Sequence, residues 1–253
     1  GAMSFTRRIR GMGLEQQEAE VDIDALTERI DSIKGHLQHN TTQLLESQGV
    51  QLIHGTARLL GPHEVEVTAD GGTRILPADA VLIATGSSPR IPDWCTPDGE
   101  RILTTRHCYP PRIFPKSITV IGSGVTGVEF VHMFSSFGAD VTLVVSRQQV
   151  LPLKDPEVAA VLEDDFLRRG VKLLKGARAI ALERTDDGVV VRCDDGRVAE
   201  GSHALLAIGS IPIGAGAGLD AAGVDHDGGY VTTVDHHLRT NVPHIYVAGD
   251  LSG

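Results

Sequence analysis

Apolar positions along the chain fall into two rhythms, one helical and one alternating. Between 24 and 48, Leu26, Ile30, Ile33, Leu37, Leu44 and Leu45 recur at helical spacing, and Gly49 follows where a C-terminal cap belongs. Residues 50–53 read as a short strand. A meander comes next: 65–67 is strand-like, Asp70-Gly71-Gly72 is a turn, 73–76 pairs back, and 80–84 is a buried apolar strand. Pro92, Pro97, Pro110, Pro111 and Pro115 mark the following stretch as a loop crossing between domains. From Ser117 onward strands and helices alternate. Residues 118–121 form a strand, 125–137 a helix closed by Gly138, and 141–145 a second strand. Asp155-Pro156-Glu157 has the order cap, proline, first-turn acid, and opens a helix that stops at Gly170. Residues 171–174 make a third strand. Such a βαβαβ unit implies a parallel sheet with right-handed crossovers.

The meander then recurs, with strands at 189–193 and 204–208 around Asp194-Asp195-Gly196. Setting Gly86 on Gly209 also aligns Leu82 with Leu205, Ala84 with Ala207 and Pro89 with Pro212. The chain therefore reads as α/β. One Rossmann-type sheet carries an antiparallel meander, beside the remnant of a second, related nucleotide-binding fold that lacks its opening βα unit. A last strand, 245–248, runs into Gly249-Asp250.

Composition narrows the class. Apolar residues make up 41% of the chain, enough for a sizeable core. The net charge of −10 argues against a sequence-independent nucleic-acid binder. No apolar run approaches the ~18 residues of a membrane span. Cys95, Cys108 and Cys193 are odd in number and widely spaced, so neither a disulfide framework nor a zinc pattern is expected, and a reducing cytoplasm is the default. Residues 5–13 are basic without a period, and Gly1-Ala2-Met3 resembles a tag-cleavage scar. The His36/His39 and His236/His237 pairs and Asp225-His226-Asp227-Gly228 each lack the further ligands a metal site needs, so no metal is expected.

The chemistry concentrates at Gly122-Ser123-Gly124-Val125-Thr126-Gly127, which follows a strand and opens a helix. In such a turn the first glycine permits the bend, the second lets backbone approach a pyrophosphate, and the third lets helix and strand pack closely. The helix N-terminus supplies N–H groups and a positive dipole end. Where a ribose-reading carboxylate would favour NAD, this chain has Val145-Ser146-Arg147, and no acid stands between Asp140 and Asp155. A hydroxyl and a guanidinium fit a 2′-phosphate, although Arg147 also reads as a plain surface arginine. Gly127 leans toward NAD. Glu129, just inside the helix, is either a first-turn acid satisfying the dipole or a carboxylate facing the nicotinamide.

Ala84-Thr85-Gly86, the run from Gly122 to Glu129, Ala207-Ile208-Gly209 and Val247-Ala248-Gly249-Asp250 resemble, in order and spacing, the two-dinucleotide-binding-domain flavoproteins, the pyridine nucleotide-disulfide oxidoreductases. The group includes dihydrolipoamide dehydrogenase, glutathione reductase and soluble transhydrogenase. The run from Asp98 to Leu103 and Gly209-Ser210-Ile211-Pro212 are similar to its dihydrolipoamide-dehydrogenase-like actinobacterial quinone reductases, although most relatives carry arginine where Ser210 stands. The resemblance implies that residues 114–213 bind NAD or NADP, and that 4–113 with 214–253 form a partial FAD-binding domain. Gly122, Ser123, Gly124, Val125, Thr126, Gly127, Glu129, Ser146, Arg147, the strand near Ala179, and Gly209 would hold NAD(P). Thr56 and Ala57 would face the FAD adenine, Thr85 and Gly86 would line its site, and Asp250 would bind the ribityl chain. The family's FAD-binding GxGxxG, its Cys-x4-Cys pair and its C-terminal dimer domain have no counterpart in this sequence. The chain is thus expected to be truncated at both ends, with FAD and a homodimer belonging to a longer parent, and no catalytic cysteine is assigned. Two functions compete. One is part of an enzyme passing hydride from NAD(P)H to flavin, then to a disulfide, quinone or nicotinamide. The other is a module that binds NAD(P) and does nothing further. Neither reading calls for nucleic-acid or membrane partners.

Overall fold

The computed structural model describes residues 21–253, so the basic stretch 5–13 and the Gly1-Ala2-Met3 start lie outside the described residues. In chain order, helix α1 (Ile23–Ser47) precedes the strands β1 (Thr56–Gly61), β2 (Glu64–Ala69), β3 (Gly72–Pro77), β4 (Val81–Ile83), β5 (Ser87–Pro89) and β6 (Ile102–Thr104). Then come β7 (Ser117–Ile121), α2 (Val125–Phe137), β8 (Asp140–Val145), α3 (Pro156–Arg168) and β9 (Lys172–Lys175). A second meander, β10 (Ala179–Arg184), β11 (Val189–Cys193) and β12 (Val198–Gly201), leads to β13 (His203–Leu206) and β14 (Ser210–Pro212). The chain closes through β15 (His226–Asp227), β16 (Tyr230–Val231) and β17 (Ile245–Val247). Two compact units result. One takes Pro89–Gly209 with the described residues up to Gly35; the other takes His36–Ser88 with Ser210–Gly253.

The first unit is built on a five-stranded sheet of order β6-β13-β7-β8-β9, with every pairing parallel. Parallel strands are covered on both faces, which is why they read as continuous apolar runs. On one face Ile118, Val120, Leu143 and Leu205 meet Val131 and Phe134 of α2 and Phe166 of α3. On the other, Ile121, Val144 and Leu206 meet Leu182, Val191 and Cys193 of the antiparallel β10-β11-β12 layer. Both helix ends form as their caps dictate. Gly138 adopts φ 104° after α2, and the Asp155 carboxylate accepts from the N–H of Glu157 at 2.8 Å before α3. In the second unit β1-β2-β3 form an antiparallel meander, β4 pairs with β17 in parallel, and Leu59, Ile83, Ile245, Val247 and Leu251 share a core.

Three expectations need correction. Residues 50–53 form no strand: Val50 and Leu52 are exposed and have no sheet partner among the described residues, and an isolated strand cannot satisfy its backbone. The 80–84 strand is short and only Ile83 is buried, because among the described residues it pairs with β17 alone and leaves Leu82 open. The proline-bearing loop contains β6, an edge strand of the parallel sheet whose three residues are all buried. Three residues are too few to show a period, so the sequence hid it. Helix α1 does form and ends at Gly49, φ 75°, yet it buries no residue.

The turn into β6 rests on Asp98. Its carboxylate accepts the N–H groups of Glu100, Arg101 and Ile102 at 2.8, 2.9 and 2.9 Å, and Arg184 at 2.8 Å. Burial works to raise its pKa, but the N–H bonds from Ile102, Glu100 and Arg101 and the Arg184 guanidinium outweigh it and hold the group at about 2. The folded pKa lies below the unfolded one, so this stabilisation is complete above the unfolded value and is lost as pH falls through about 2. Asp98→Asn keeps the acceptor oxygen and removes the charge. After allowance for solvent screening, it is expected to cost about 1 kcal/mol at neutral pH. Urea denaturation at neutral pH and near pH ~3 checks this, because the gap between variant and parent must shrink in acid.

Candidate functional site

The turn between β7 and α2 has the geometry that its glycines were expected to provide. Gly122 has φ 108°, and a Cβ there would collide with the Ala207 carbonyl oxygen. Gly127 lies within α2 against β7, and a Cβ there would collide with the Gly122 carbonyl oxygen. Gly127 therefore has a packing reason of its own, independent of any cofactor preference. Gly124 differs: a Cβ would meet nothing within 4 Å, so this glycine keeps an approach open. It is the N-cap of α2 and makes no side-chain cap hydrogen bond, which leaves first-turn N–H groups facing the open side. Ser123 is buried, and Val125 and Thr126 are exposed on the first turn.

At the C-terminal ends of β7, β8 and β13 lies a cavity of about 290 Å³. Gly122, Ser146 and Ala179 line it together, with Trp94 and Ile208 as apolar walls and Arg178 beside them. Two backbone bonds hold the loop after β8 to the next one: Gly176 N–H donates to the Arg147 carbonyl at 2.9 Å and Ala177 N–H to Val145 at 3.1 Å. A third ties that loop to the glycine turn, Leu151 N–H donating to Ser123 at 2.7 Å. The Arg147 and Arg178 side chains make no ion pair among the described residues. Arg147, Gly209 and Glu129 do not line the cavity. Glu129 is the fifth residue of α2, exposed and past the first turn, so the helix-start reading of it does not hold. Gly209, φ 96°, ends the run after β13 with open space around it.

Arg178 and Trp94 are residues that sequence reasoning missed. A signal existed for Arg178: it follows Gly176-Ala177, one position before the strand near Ala179. None existed for Trp94, which reaches the cavity from the proline-bearing loop.

In the second unit, the parallel pairing of β4 with β17 brings Thr85-Gly86 and Gly249-Asp250 to adjacent strand ends. The Thr85 hydroxyl donates to the Ile213 carbonyl at 2.6 Å, and the Ser87 hydroxyl donates to the Asp250 carboxylate at 2.5 Å. Thr56 and Ala57 are exposed at the start of β1, in a different sheet.

The three cysteines are all buried and unpaired. Burial pushes the Cys108 thiol up to about 12 and also raises Cys95 and Cys193, which disfavours the thiolate at all three. Among the described residues no group of His, Cys, Asp or Glu is arranged to hold a metal, and no helix is long and apolar enough to cross a membrane.

The sequence is 43% identical over 250 residues to a protein of Mycobacterium tuberculosis named NAD(P)H dehydrogenase (quinone), covering 96% of this chain and 51% of that protein. It is 35% identical to the dihydrolipoyl dehydrogenase of Zymomonas mobilis, covering 95% of this chain and 53% of the relative. The crystal structure of LpdA from Mycobacterium tuberculosis superimposes with a TM-score of 0.90 at 42% identity, over 100% of this chain and 56% of the other. The chain thus spans about half the length of the relatives it matches. The family profile described as pyridine nucleotide-disulphide oxidoreductase matches residues 6–253. With that match and the fold in agreement, this chain belongs to the pyridine nucleotide-disulphide oxidoreductase family.

Proposed function

We propose that this chain is the NAD(P)(H)-binding part of an FAD-dependent NAD(P)H oxidoreductase, with residues 114–213 as the dinucleotide-binding domain and β6 completing its sheet. The observation that carries this is the open approach at Gly124, set between two glycines that have no room for a side chain. A pyrophosphate would take the first-turn N–H groups of α2, from Val125 to Gly127, and the adjacent sugar would meet Ser146 in the cavity. Arg147 and Arg178 would supply positive charge to a 2′-phosphate, and Ala179, Gly209 and Glu129 would complete the contacts. When bound, the nicotinamide supplies hydride chemistry; the chain's own residues bind, orient and exclude water. A disulfide, a quinone or a second nicotinamide are the acceptors in view, and the name of the mycobacterial relative supports a quinone.

The cofactor preference is expected to lean to NADP(H), with NAD(H) also accepted. A well-placed guanidinium on a phosphate contributes about 1.5–3 kcal/mol, and exposure lowers that figure. Titration calorimetry with both cofactors should show Arg147→Ala weakening NADP(H) by about tenfold while NAD(H) changes little. Binding of NAD(H) tenfold tighter than NADP(H) by the parent chain would contradict this assignment of the loop.

Residues 4–113 with 214–253 are proposed as the partial FAD-type domain, with Thr56, Ala57, Thr85, Gly86 and Asp250 facing that cofactor. The fit is partial. The chain's one GxGxxG belongs to the other domain, and the Thr85 hydroxyl and one carboxylate oxygen of Asp250 already have protein partners. The 253-residue chain is therefore expected to emerge from gel filtration colourless. A retained flavin band at one equivalent would show that the second unit holds FAD unaided. In either case, binding of NAD(P)(H) separates the proposed reading from a mere scaffold. The second reading is a stand-alone module that binds NAD(P)(H) and does nothing further.

A further inference from the structure

The parallel sheet has a second cavity, at the opposite end of β7 and β13 from the dinucleotide cavity. Its volume is about 650 Å³, within the range usual for small-molecule sites. We infer that this cavity is a second ligand site, for an organic anion carrying a phosphate group.

The charge balance is the first argument. Arg101, Arg112, Lys116 and Arg184 line the cavity against Glu100 and Asp187, an excess of two positive charges in a chain whose net charge is −10. Arg184 is held by Asp98 and Glu100, each at 2.8 Å; with Asp98 counted that trio carries one net negative charge, and the excess around the cavity is one positive charge. The Arg101 guanidinium donates to the carbonyl oxygens of Asp187 and Ser202, at 3.2 and 3.0 Å; these bonds fix its position and leave its charge uncompensated. The side chains of Arg112 and Lys116 make no hydrogen bond or ion pair among the described residues.

The second argument is His203, a buried residue at the start of β13 whose ring lines the cavity. The Ser202 hydroxyl donates to the Ser117 carbonyl at 2.6 Å, so its proton is spent there. The 2.9 Å contact between Ser202 Oγ and His203 Nδ1 then requires the imidazole Nδ1–H to donate. Nε2 is left without a hydrogen-bond partner among the described residues; burial and the nearby Arg101 lower the pKa of the ring, so Nε2 donates only when a bound anion offsets them and draws a proton onto it. A guanidinium, an ammonium and an imidazole approaching from different elements suit a tetrahedral oxyanion with several acceptor oxygens better than a flat carboxylate. Ile113 and Phe114 add an apolar wall for an organic body. Both exposed cations lie in the segment leading into β7, the strand that ends at the glycine turn.

The test uses the 253-residue chain with 15N-labelled histidine and phenyl phosphate as probe, followed through the His203 ring signals by NMR. A saturable shift of His203 Nε2 is expected. The double variant Arg112→Ser/Lys116→Ser alters two exposed residues, so its melting temperature should match that of the parent. It should bind the probe at least about tenfold more weakly. Arg147→Ala should leave probe affinity unchanged, which separates this site from the dinucleotide site. The inference is overturned if His203 shows no saturable response, if the double variant binds as the parent does, if phenol gives the same response, or if Arg147→Ala abolishes it.

Discussion

Gly127→Val is expected to lower the stability of the chain by about 3–5 kcal/mol, at the upper end for a single substitution. Gly127 is buried in α2, and its missing side chain is what allows the helix to lie on the end of β7. A Cβ would overlap the Gly122 carbonyl oxygen, and the Ala207 methyl lies 3.7 Å away on another side. The obstacle is backbone, which cannot rotate aside as a flexible side chain would. Either α2 lifts from the sheet, opening the core around Val131 and Phe134, or the glycine turn deforms. Both routes disturb the proposed dinucleotide site, so affinity for NAD(P)(H) should fall together with stability. Urea denaturation measures the first and calorimetry the second. A midpoint within error of the parent would mean that the close approach at this junction is not real.

Gly124→Val should separate what Gly127→Val leaves joined. Gly124 has φ −69° and ψ −176°, an extended conformation open to any residue, and its Cβ would meet nothing within 4 Å. Loss of a tolerated N-cap residue should cost about 1 kcal/mol or less. Yet the new side chain would occupy the space through which, in the proposed site, a pyrophosphate would reach the first-turn N–H groups. Affinity for NAD(P)(H) is expected to fall about 100-fold or more, equivalent to roughly 2.7 kcal/mol of binding free energy. A folded Gly124→Val protein that binds the dinucleotide as the parent does would remove the observation on which the proposed function rests. Equal loss of stability in the two variants would instead assign Gly124 a structural role.

Local signals with a fixed backbone meaning are legible in the sequence itself. The glycine turn, the proline and acid opening α3, and Gly138 closing α2 each encode one geometry, because few residue types adopt the dihedrals or supply the cap. The buried strands β7, β8 and β13 are legible for a related reason: strands covered on both faces become continuous apolar runs that stand out from their surroundings. The recurrence of the meander is visible as well, since Gly86 and Gly209 mark equivalent positions with positive φ after β4 and β13.

Only the tertiary structure decided the rest. The edge strand β6 exists because β13 offers it a partner, and residues 50–53 fail as a strand because nothing among the described residues pairs with them. Strand formation at that length depends on a neighbour distant in sequence, which no local window contains. The same holds for the sites. Trp94 and Arg178 reach the cavity beside Gly122 from segments 28 and 56 positions away, and His203 meets Arg101 across the sheet. The sequence alone determined that a glycine turn of this kind would form and where its helix would start and stop. Which side chains surround that turn, and that a cationic cavity lies at the other end of the same strands, depended on sheet order, because hydrogen-bonded pairing brings distant residues into register.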